Sequence, residues 1–323
     1  MLKRTKTNHP IDKAFFALGT INYIKIFDDT KEYVVEKAIE RVTEIENRMS
    51  AFKAKSDISK LRENSGKGAQ MIHRDTFHLI RKAIEFAELS NGAFDPTIRP
   101  LVELWGINKK GSYIPSDSEI QEAVNLVDYH DIRLNNKSLS GFLKRPGQAL
   151  DLGGIAKGFA ADEIRRILTE NRIQSALVNL GGNVIAIGKR PDGQPWQIGI
   201  QNPLAPTGQY LGILSAADKT VVTSGSNERF FMKNGIRYHH ILDSRTGKPA
   251  QSSLLSVTAV CECSADADAL TTALFILGPE MGFPLLSKVK AEAIFVADDL
   301  TVTATRGLLP HFKNLYHNEQ ERF

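Results

Sequence analysis

The sequence has 323 residues, of which 24% are charged and 42% hydrophobic, as is ordinary for a soluble globular protein. A net charge of +4 is mild for this length and gives no indication of nucleic-acid binding, which usually requires a clustered basic face. An anionic small-molecule substrate is compatible with this net charge. The polar N-terminus predicts no signal peptide, and we find no apolar run of the length of a membrane span.

Two segments in the N-terminal third show helical spacing of apolar residues. One runs from Val34 to Met49, and the other follows Asp75, which we expect to cap it. A half-buried strand is predicted within residues 15–27, after a turn at Gly19. Residues 92–107 contain two prolines, so they cannot form one helix and are predicted as an irregular loop that forms the wall of a site.

The remainder of the chain is rich in strand patterns. Strands are predicted over residues 175–180, 196–201, 211–214, 220–222, 238–243 and 255–260. A helix over 266–277 follows, and residues 294–297 and 301–305 are predicted to form a hairpin. Because strands and helices do not alternate regularly, we expect an α+β fold with mixed, largely antiparallel sheets. We treat residues 1–323 as one domain with two intimately coupled lobes.

The two cysteines, Cys261 and Cys263, would lie on the same face of a strand. No second cysteine pair or nearby histidine completes a zinc site in the sequence. We therefore expect buried, unreactive thiols and a fold that does not depend on disulfides.

Residues 149–162, A-L-D-L-G-G-I-A-K-G-F-A-A-D, combine a strand end, two glycines, a lysine and the start of a helix predicted over 155–168. Glycines allow close approach to a bulky ligand, and a helix N-terminus offers free N–H groups to an anion. The turn thus suits a phosphate-bearing ligand, although an ordinary strand-to-helix turn with a solvated Lys157 fits the segment equally well. Neither the P-loop nor the dinucleotide fingerprint is present.

Two further segments carry groups suited to chemistry. Asp268 and Thr272 are four residues apart on a predicted helix, so both oxygens could reach one Mg²⁺. Taken alone, they fit better a pair that serves the helix itself, and Asp266 is a competing carboxylate. In H-H-I-L-D, His239 and His240 should point to opposite faces of a strand, so at most one enters a given pocket. That histidine is either a proton acceptor or an ordinary surface or core residue.

Together these segments resemble the ApbE family of FAD:protein FMN transferases. The resemblance rests on the central turn, N-L-G-G-N-V, H-I-L-D-S-R-T-G and A-D-A-L-T-T-A-L-F-I-L-G, which stand in the family's order. It extends upstream to A-L-G-T, S-A-F-K-A-K-S-D-I-S-K-L and S-N-G-A-F-D-P-T-I-R-P-L-V-E-L-W-G. The similar stretch runs from about residue 17 to residue 278.

The resemblance implies a Mg²⁺-dependent reaction in which FAD is the substrate. Members of the family split its pyrophosphate, release AMP and attach FMN through a phosphoester to a Thr or Ser of a target flavoprotein. The implied Mg²⁺ ligands are Asp268, Thr272 and the backbone carbonyl of Gly154, where some relatives have Ser or Thr. His240 matches the family histidine that assists deprotonation of the acceptor hydroxyl.

The resemblance also implies a set of FAD-binding residues. Phe52 stands where relatives often have Tyr. The full implied set is Leu18, Phe52, Ala93, Phe94, Asp95, Asp151, Lys157 and Leu242.

The expected partner is an acceptor flavoprotein, either a subunit of an ion-translocating quinone oxidoreductase or a soluble flavin-dependent reductase. The sequence as printed shows neither a signal peptide nor a lipobox cysteine, so we expect a cytoplasmic protein, or an exported one if a native leader precedes it. Two alternative functions remain at this point: a Mg²⁺-dependent FAD pyrophosphatase that gives FMN and AMP, and a non-catalytic FAD-binding protein.

Overall fold

The computed structural model describes residues 10–107 and 111–316, so most of the polar N-terminus lies outside the described residues. Seven helices lie in these ranges, numbered here in chain order. They are α1 (Glu32–Met49), α2 (Asp57–Glu63), α3 (Arg74–Leu89), α4 (Arg99–Trp105), α5 (Asp117–Val124), α6 (Ala156–Glu170) and α7 (Ser264–Val289).

The strands form one large sheet and several small ones. They are β1 (Ile11–Ala17), β2 (Thr20–Ile26), β3 (Gln70–Met71), β4 (Ile132–Asn135), β5 (Ser140–Leu143), β6 (Ser175–Leu180), β7 (Asn183–Gly188), β8 (Trp196–Gln201), β9 (Tyr210–Ala216), β10 (Lys219–Gly225), β11 (Phe230–Lys233), β12 (Ile236–His239), β13 (Leu242–Asp243), β14 (Lys248–Pro249), β15 (Leu254–Cys261), β16 (Glu292–Ala297), β17 (Val302–Ala304) and β18 (Phe312–Asn314).

The main sheet has eight strands in the order β1-β2-β6-β7-β10-β15-β16-β17. Every neighbouring pair in it is antiparallel. The small sheets are β18-β9-β8, β3-β5-β4 and the hairpins β11-β12 and β13-β14. The α+β class with largely antiparallel sheets is therefore confirmed.

Helices α1, α6 and α7 cover one face of the main sheet, which we call the inner face. Their apolar positions recur every three to four residues, as at Val34, Ala38, Val42 and Ile45 of α1, and all of these are buried. The strands supply the other half of this core through alternate side chains such as Ile24.

The opposite, outer face of the main sheet is partly covered by the sheet β18-β9-β8. Trp196, Ile198 and Leu214 of that sheet pack in a second core with Val221 and Val296 of the main sheet. Strand β15 lies between both layers, and all eight of its residues are buried. This explains why its sequence has no charged residue and only Ser256 and Thr258 as polar ones.

Several predicted elements have the expected bounds. Strands β6 and β8 span the predicted residues, and the hairpin β16-β17 turns at Asp298 and Asp299. Helix α6 begins one residue later and ends two residues later than predicted.

Three local predictions are wrong. Asp75 does not cap α3, because His73 precedes the helix and its Nδ1 accepts the Asp75 N–H at 3.2 Å. Residues 238–243 do not form one strand: β12 ends at His239, and β13 pairs instead with β14. The predicted loop 92–107 contains α4, since Pro100 falls in the first turn, where no N–H is needed.

The two cysteines do not share one strand face, because Cys261 ends β15 and Cys263 precedes α7. Both are free thiols, and the Cys263 Sγ donates to Asp162 Oδ2 at 3.3 Å. Burial raises the pKa of each thiol to about 12, which suits the predicted unreactive role.

Helix α7 is longer than predicted and includes a break at Gly278, whose φ is 73°. By length and composition this helix could cross a membrane, although the sequence analysis found no apolar run of that length. Of its most apolar 18-residue window, 56% is buried within the protein, where its N-terminal half packs against β10 and β15. The same apolar composition is what a core helix needs.

Candidate functional site

A cavity of about 1050 Å³ opens at one end of the main sheet. The turn between β1 and β2, the end of β10, the start of α6 and one face of α7 all contribute to its lining. Every residue that the resemblance implies for FAD, metal or catalysis lines this cavity: Leu18, Phe52, Ala93, Phe94, Asp95, Asp151, Gly154, Lys157, His240, Leu242, Asp268 and Thr272. The fold thus brings together residues separated by up to 254 positions in the chain.

The central turn is held by Asp151. Its Oδ1 accepts the N–H of Gly153 at 2.8 Å, and its Oδ2 accepts a hydrogen bond from Arg99 Nη1 at 3.1 Å. Its own N–H donates to the carbonyl of Pro96 at 2.8 Å. These bonds fix the turn against residues 92–107 through both the carboxylate and the backbone of Asp151.

Helices α6 and α7 meet at Gly158, where the backbones are in direct contact. A Cβ built on Gly158 would lie 2.2 Å from the Ser264 carbonyl oxygen, so no larger residue fits. The Gly158 N–H donates to Asp268 Oδ2 at 2.9 Å, and Lys157 Nζ lies 3.4 Å from Asp268 Oδ1. Asp268 is only 2% exposed, so this buried carboxylate has cationic and N–H partners, as a buried charge requires.

Thr272 lies one helical turn after Asp268 and also borders the cavity. A Cβ on Gly154 would lie 3.2 Å from Thr272 Oγ1, which places the backbone of the central turn beside this hydroxyl. Asp266, the competing carboxylate, is paired with Lys82 and does not line the cavity. Among the described residues, no group of three His, Cys, Asp or Glu side chains could hold a metal.

The two adjacent histidines point in opposite directions, as predicted. The imidazole of His239 is buried, packs edge-on against Phe275 and places Nε2 3.0 Å from the carbonyl oxygen of Ala250. His240 faces the cavity and places Nδ1 3.3 Å from the carbonyl oxygen of Arg229. Because a carbonyl oxygen only accepts, Nδ1 of His240 carries the proton and Nε2 has a free lone pair. Desolvation, followed by the charge of Arg229, lowers the pKa of His240 to about 4.

Asp95 lines the cavity, but both of its oxygens already have protein donors. Its Oδ1 accepts from the backbone N–H and hydroxyl of Thr97, and its Oδ2 accepts from the N–H of Tyr129. Burial raises the pKa of this carboxyl. Asp95 therefore shapes the wall through hydrogen bonds within the protein.

The structure adds charged residues that the sequence analysis missed. The guanidinium of Arg99 lies 4.2 Å from the ring centre of Phe52, a side chain that is 65% exposed at the rim. Glu228 and Arg229 line the cavity next to His240. Desolvation and repulsion from Asp268 raise the pKa of the Glu228 carboxyl, against the opposing charges of Lys157 and Arg229.

Comparison with known proteins identifies the family. The sequence profile of the ApbE family matches residues 18–295, a range that includes all of the residues above. The chain belongs to the ApbE family. An FAD:protein FMN transferase of Treponema pallidum is 34% identical over 94% of this chain and 89% of its own length. One from Klebsiella pneumoniae is 36% identical over 86% of each chain.

Solved structures give the same family. The ApbE protein of Thermotoga maritima superposes with a TM-score of 0.85 at 31% identity, over 93% of this chain and 98% of that one. The flavin transferase ApbE of Vibrio cholerae, at 24% identity, shares the fold with a TM-score of 0.84 over 94% of this chain and 99% of that one.

Proposed function

We propose that this ApbE-family protein transfers FMN from FAD to a Thr or Ser hydroxyl of an acceptor flavoprotein and releases AMP. One observation carries the proposal: a buried carboxylate, a hydroxyl, a lysine and a neutral histidine converge on a single large cavity. A hydroxyl nucleophile and a pyrophosphate require this combination of charge neutralisation and proton acceptance. Relatives of this chain carry the corresponding name.

The residues fit a Mg²⁺ ion. Asp268 Oδ1 and Thr272 Oγ1 are hard oxygen donors on one face of α7, and the backbone of Gly154 lies beside them. We assign these three residues as the protein ligands, with the Gly154 carbonyl as the third. When bound, Mg²⁺ would neutralise charge on the pyrophosphate and leave most of its coordination sphere to phosphate and water. The ammonium of Lys157 lies 3.4 Å from Asp268 Oδ1.

Two cationic residues border the proposed FAD site. Lys157 lies at the start of α6, next to the turn that bears Gly153 and Gly154, and its ammonium can contact the pyrophosphate. Arg99 lies across the cavity, and its guanidinium packs against the exposed ring of Phe52. We assign the Phe52 ring to stacking on a ring system of FAD.

His240 is assigned as the proton acceptor. The acceptor hydroxyl oxygen forms a bond to the phosphorus of the FMN half, and the bond from that phosphorus to the bridging oxygen breaks, with AMP as leaving group. The hydroxyl proton passes to Nε2 of His240, since Nδ1 is engaged by the Arg229 carbonyl. The lowered pKa keeps this imidazole neutral at physiological pH.

The experiment is mass spectrometry of a candidate acceptor after incubation with this protein, FAD and Mg²⁺. The probes are a flavin-free subunit of an ion-translocating quinone oxidoreductase and a soluble flavin-dependent reductase without its flavin. We expect a mass increase of FMN less one water on a Thr or Ser, with one AMP released per label. FMN and AMP without labelled protein would identify an FAD pyrophosphatase. Retained FAD without AMP would identify a flavin-binding protein.

A further inference from the structure

The outer face of the main sheet is left uncovered at the β1-β2 end. Along β2, Ile24 and Ile26 point to the helices and are fully buried. Phe27 has the opposite orientation and packs on Trp196 of the small sheet, with ring centres 5.3 Å apart. On the same face of β2, closer to the cavity, Tyr23 and Ile21 are not covered by the small sheet and are exposed.

Three large apolar side chains are exposed at this end, and we call them the β1-β2 patch: Phe16, Ile21 and Tyr23. Their exposed fractions are 74%, 58% and 47%. Phe16 is paired directly with Ile21 across the two strands, and Tyr23 is two residues further along β2, so all three lie on one face. A water-facing sheet surface ordinarily carries polar residues at such positions, and a clustered apolar surface of this kind marks an interaction site.

The patch is continuous with the mouth of the cavity. The next pair along the hairpin, towards its turn, is Ala17 with Thr20. Thr20 and the turn residues Leu18 and Gly19 line the cavity. Strand β1 is also an edge strand of the sheet, so one side of its backbone has no strand partner among the described residues.

We propose that the β1-β2 patch is the docking surface for the folded acceptor protein, a step that rests on the proposed function. A hydroxyl carried by a protein can enter the cavity only if the rest of that protein sits outside the mouth. A surface beside the mouth must therefore bind the acceptor protein without occupying the FAD site. The patch meets both conditions, because it borders the mouth while none of its side chains lines the cavity. The acceptor surface that binds here is apolar, and it surrounds the modified Thr or Ser.

The test compares two double variants of the full chain. Phe16→Ser/Ile21→Ser removes most of the patch, whereas Leu204→Ser/Met281→Ser removes two comparably exposed apolar side chains that do not line the cavity. We measure KM for the flavin-free quinone oxidoreductase subunit and KM for FAD in the transfer reaction. The patch variant should raise KM for the acceptor about tenfold or more, as for central interface residues, with KM for FAD unchanged. The control variant should change neither constant.

Each outcome decides between the proposals. If the unmodified protein labels neither the quinone oxidoreductase subunit nor the soluble flavin-dependent reductase, the proposed function is wrong. If it labels the acceptor and the patch variant keeps the same acceptor KM, the docking surface is wrong while the function stands. A patch variant that turns a dimer into a monomer at constant KM would assign the surface to a second copy of this chain and also overturn the inference. If the double variant unfolds, Tyr23→Ser is a smaller change that tests the same surface. We expect it to raise KM for the acceptor severalfold.

Discussion

At the scale of single residues, the two carboxylates of α7 have different surroundings and should have different roles. Asp268 faces the cavity, whereas Asp266 pairs with Lys82 outside it. We expect Asp268→Ala to lower Mg²⁺-dependent FAD turnover at least about a hundredfold, because the proposed set of Mg²⁺ ligands loses its carboxylate. Asp266→Ala should retain turnover. AMP release at varied Mg²⁺ concentration measures both, and equal losses would move the metal site away from Asp268.

His240 gives a second residue-level prediction. His240→Gln should bind FAD normally, as measured by flavin fluorescence, but lose roughly 10²–10⁴-fold in transfer rate, the usual contribution of a general base. In the unmodified protein, the lowered pKa of about 4 means that His240 is mostly protonated only below about pH 4. The acidic limb of kcat/KM for the acceptor should therefore fall near pH 4. A limb near the ordinary histidine value of 6.5 would contradict this assignment.

Sequence reasoning found the cavity residues that lie in recognisable motifs but missed those outside them. Arg99 was overlooked because it lies in a proline-containing segment that we predicted as loop, and the pattern R-P at the start of a helix was not recognised. Glu228 lies in an irregular turn, where no spacing indicates where a side chain points. The bond of Asp95 to Tyr129 was likewise unpredictable, because it joins residues 34 positions apart.

At the scale of elements, the contact of α6 with α7 holds the two halves of the site together. Gly158→Ala would place a methyl group against the Ser264 carbonyl and the Ala265 Cα, forcing the helices apart. We expect the free energy of unfolding, measured with urea, to fall by about 1–3 kcal/mol, with weaker FAD binding. Gly68→Ala is the matched control, since a Cβ there meets no atom within 4 Å. Equal stability of the two variants would show that the helices tolerate separation.

Elements with strong local periodicity were predictable, and those set by tertiary contacts were not. Strands β6 and β8 alternate clearly, and α1 has an unbroken apolar stripe. The hairpin β11-β12 was missed although Asn234-Gly235 at its turn is a strong local signal, with positive φ at both residues. The order of strands in the main sheet is long-range information, because β2 pairs with β6 across more than 150 residues.

At the scale of the whole molecule, three helices are tied together by one guanidinium. Arg41 of α1 donates to Asp75 of α3 at 2.5 Å and to Glu163 of α6 at 2.8 Å, with the three side chains only 16–20% exposed. Burial opposes ionisation of both carboxyls, but their hydrogen bonds to arginine side chains outweigh it and lower both pKa values. The network thus stabilises the packing of the helices only while the acids are charged.

Arg41→Ala should lower the free energy of unfolding by roughly 2–3 kcal/mol at neutral pH, because two partly buried carboxylates each lose one arginine partner. Asp75 keeps only Arg48 and Glu163 keeps only Arg166 as arginine partners among the described residues. Arg166→Ala is the control: it also contacts Glu163, but its side chain is 49% exposed, so the loss should stay below about 1 kcal/mol. A folded-state pKa below the unfolded value means that the stabilisation is complete above the unfolded pKa and disappears as pH falls through the folded pKa. The difference in urea stability between Arg41→Ala and the unmodified protein should therefore be largest near pH 7 and shrink below about pH 4. A difference that stays constant over this range would show that Arg41 acts through packing of its aliphatic stem instead of through its charge.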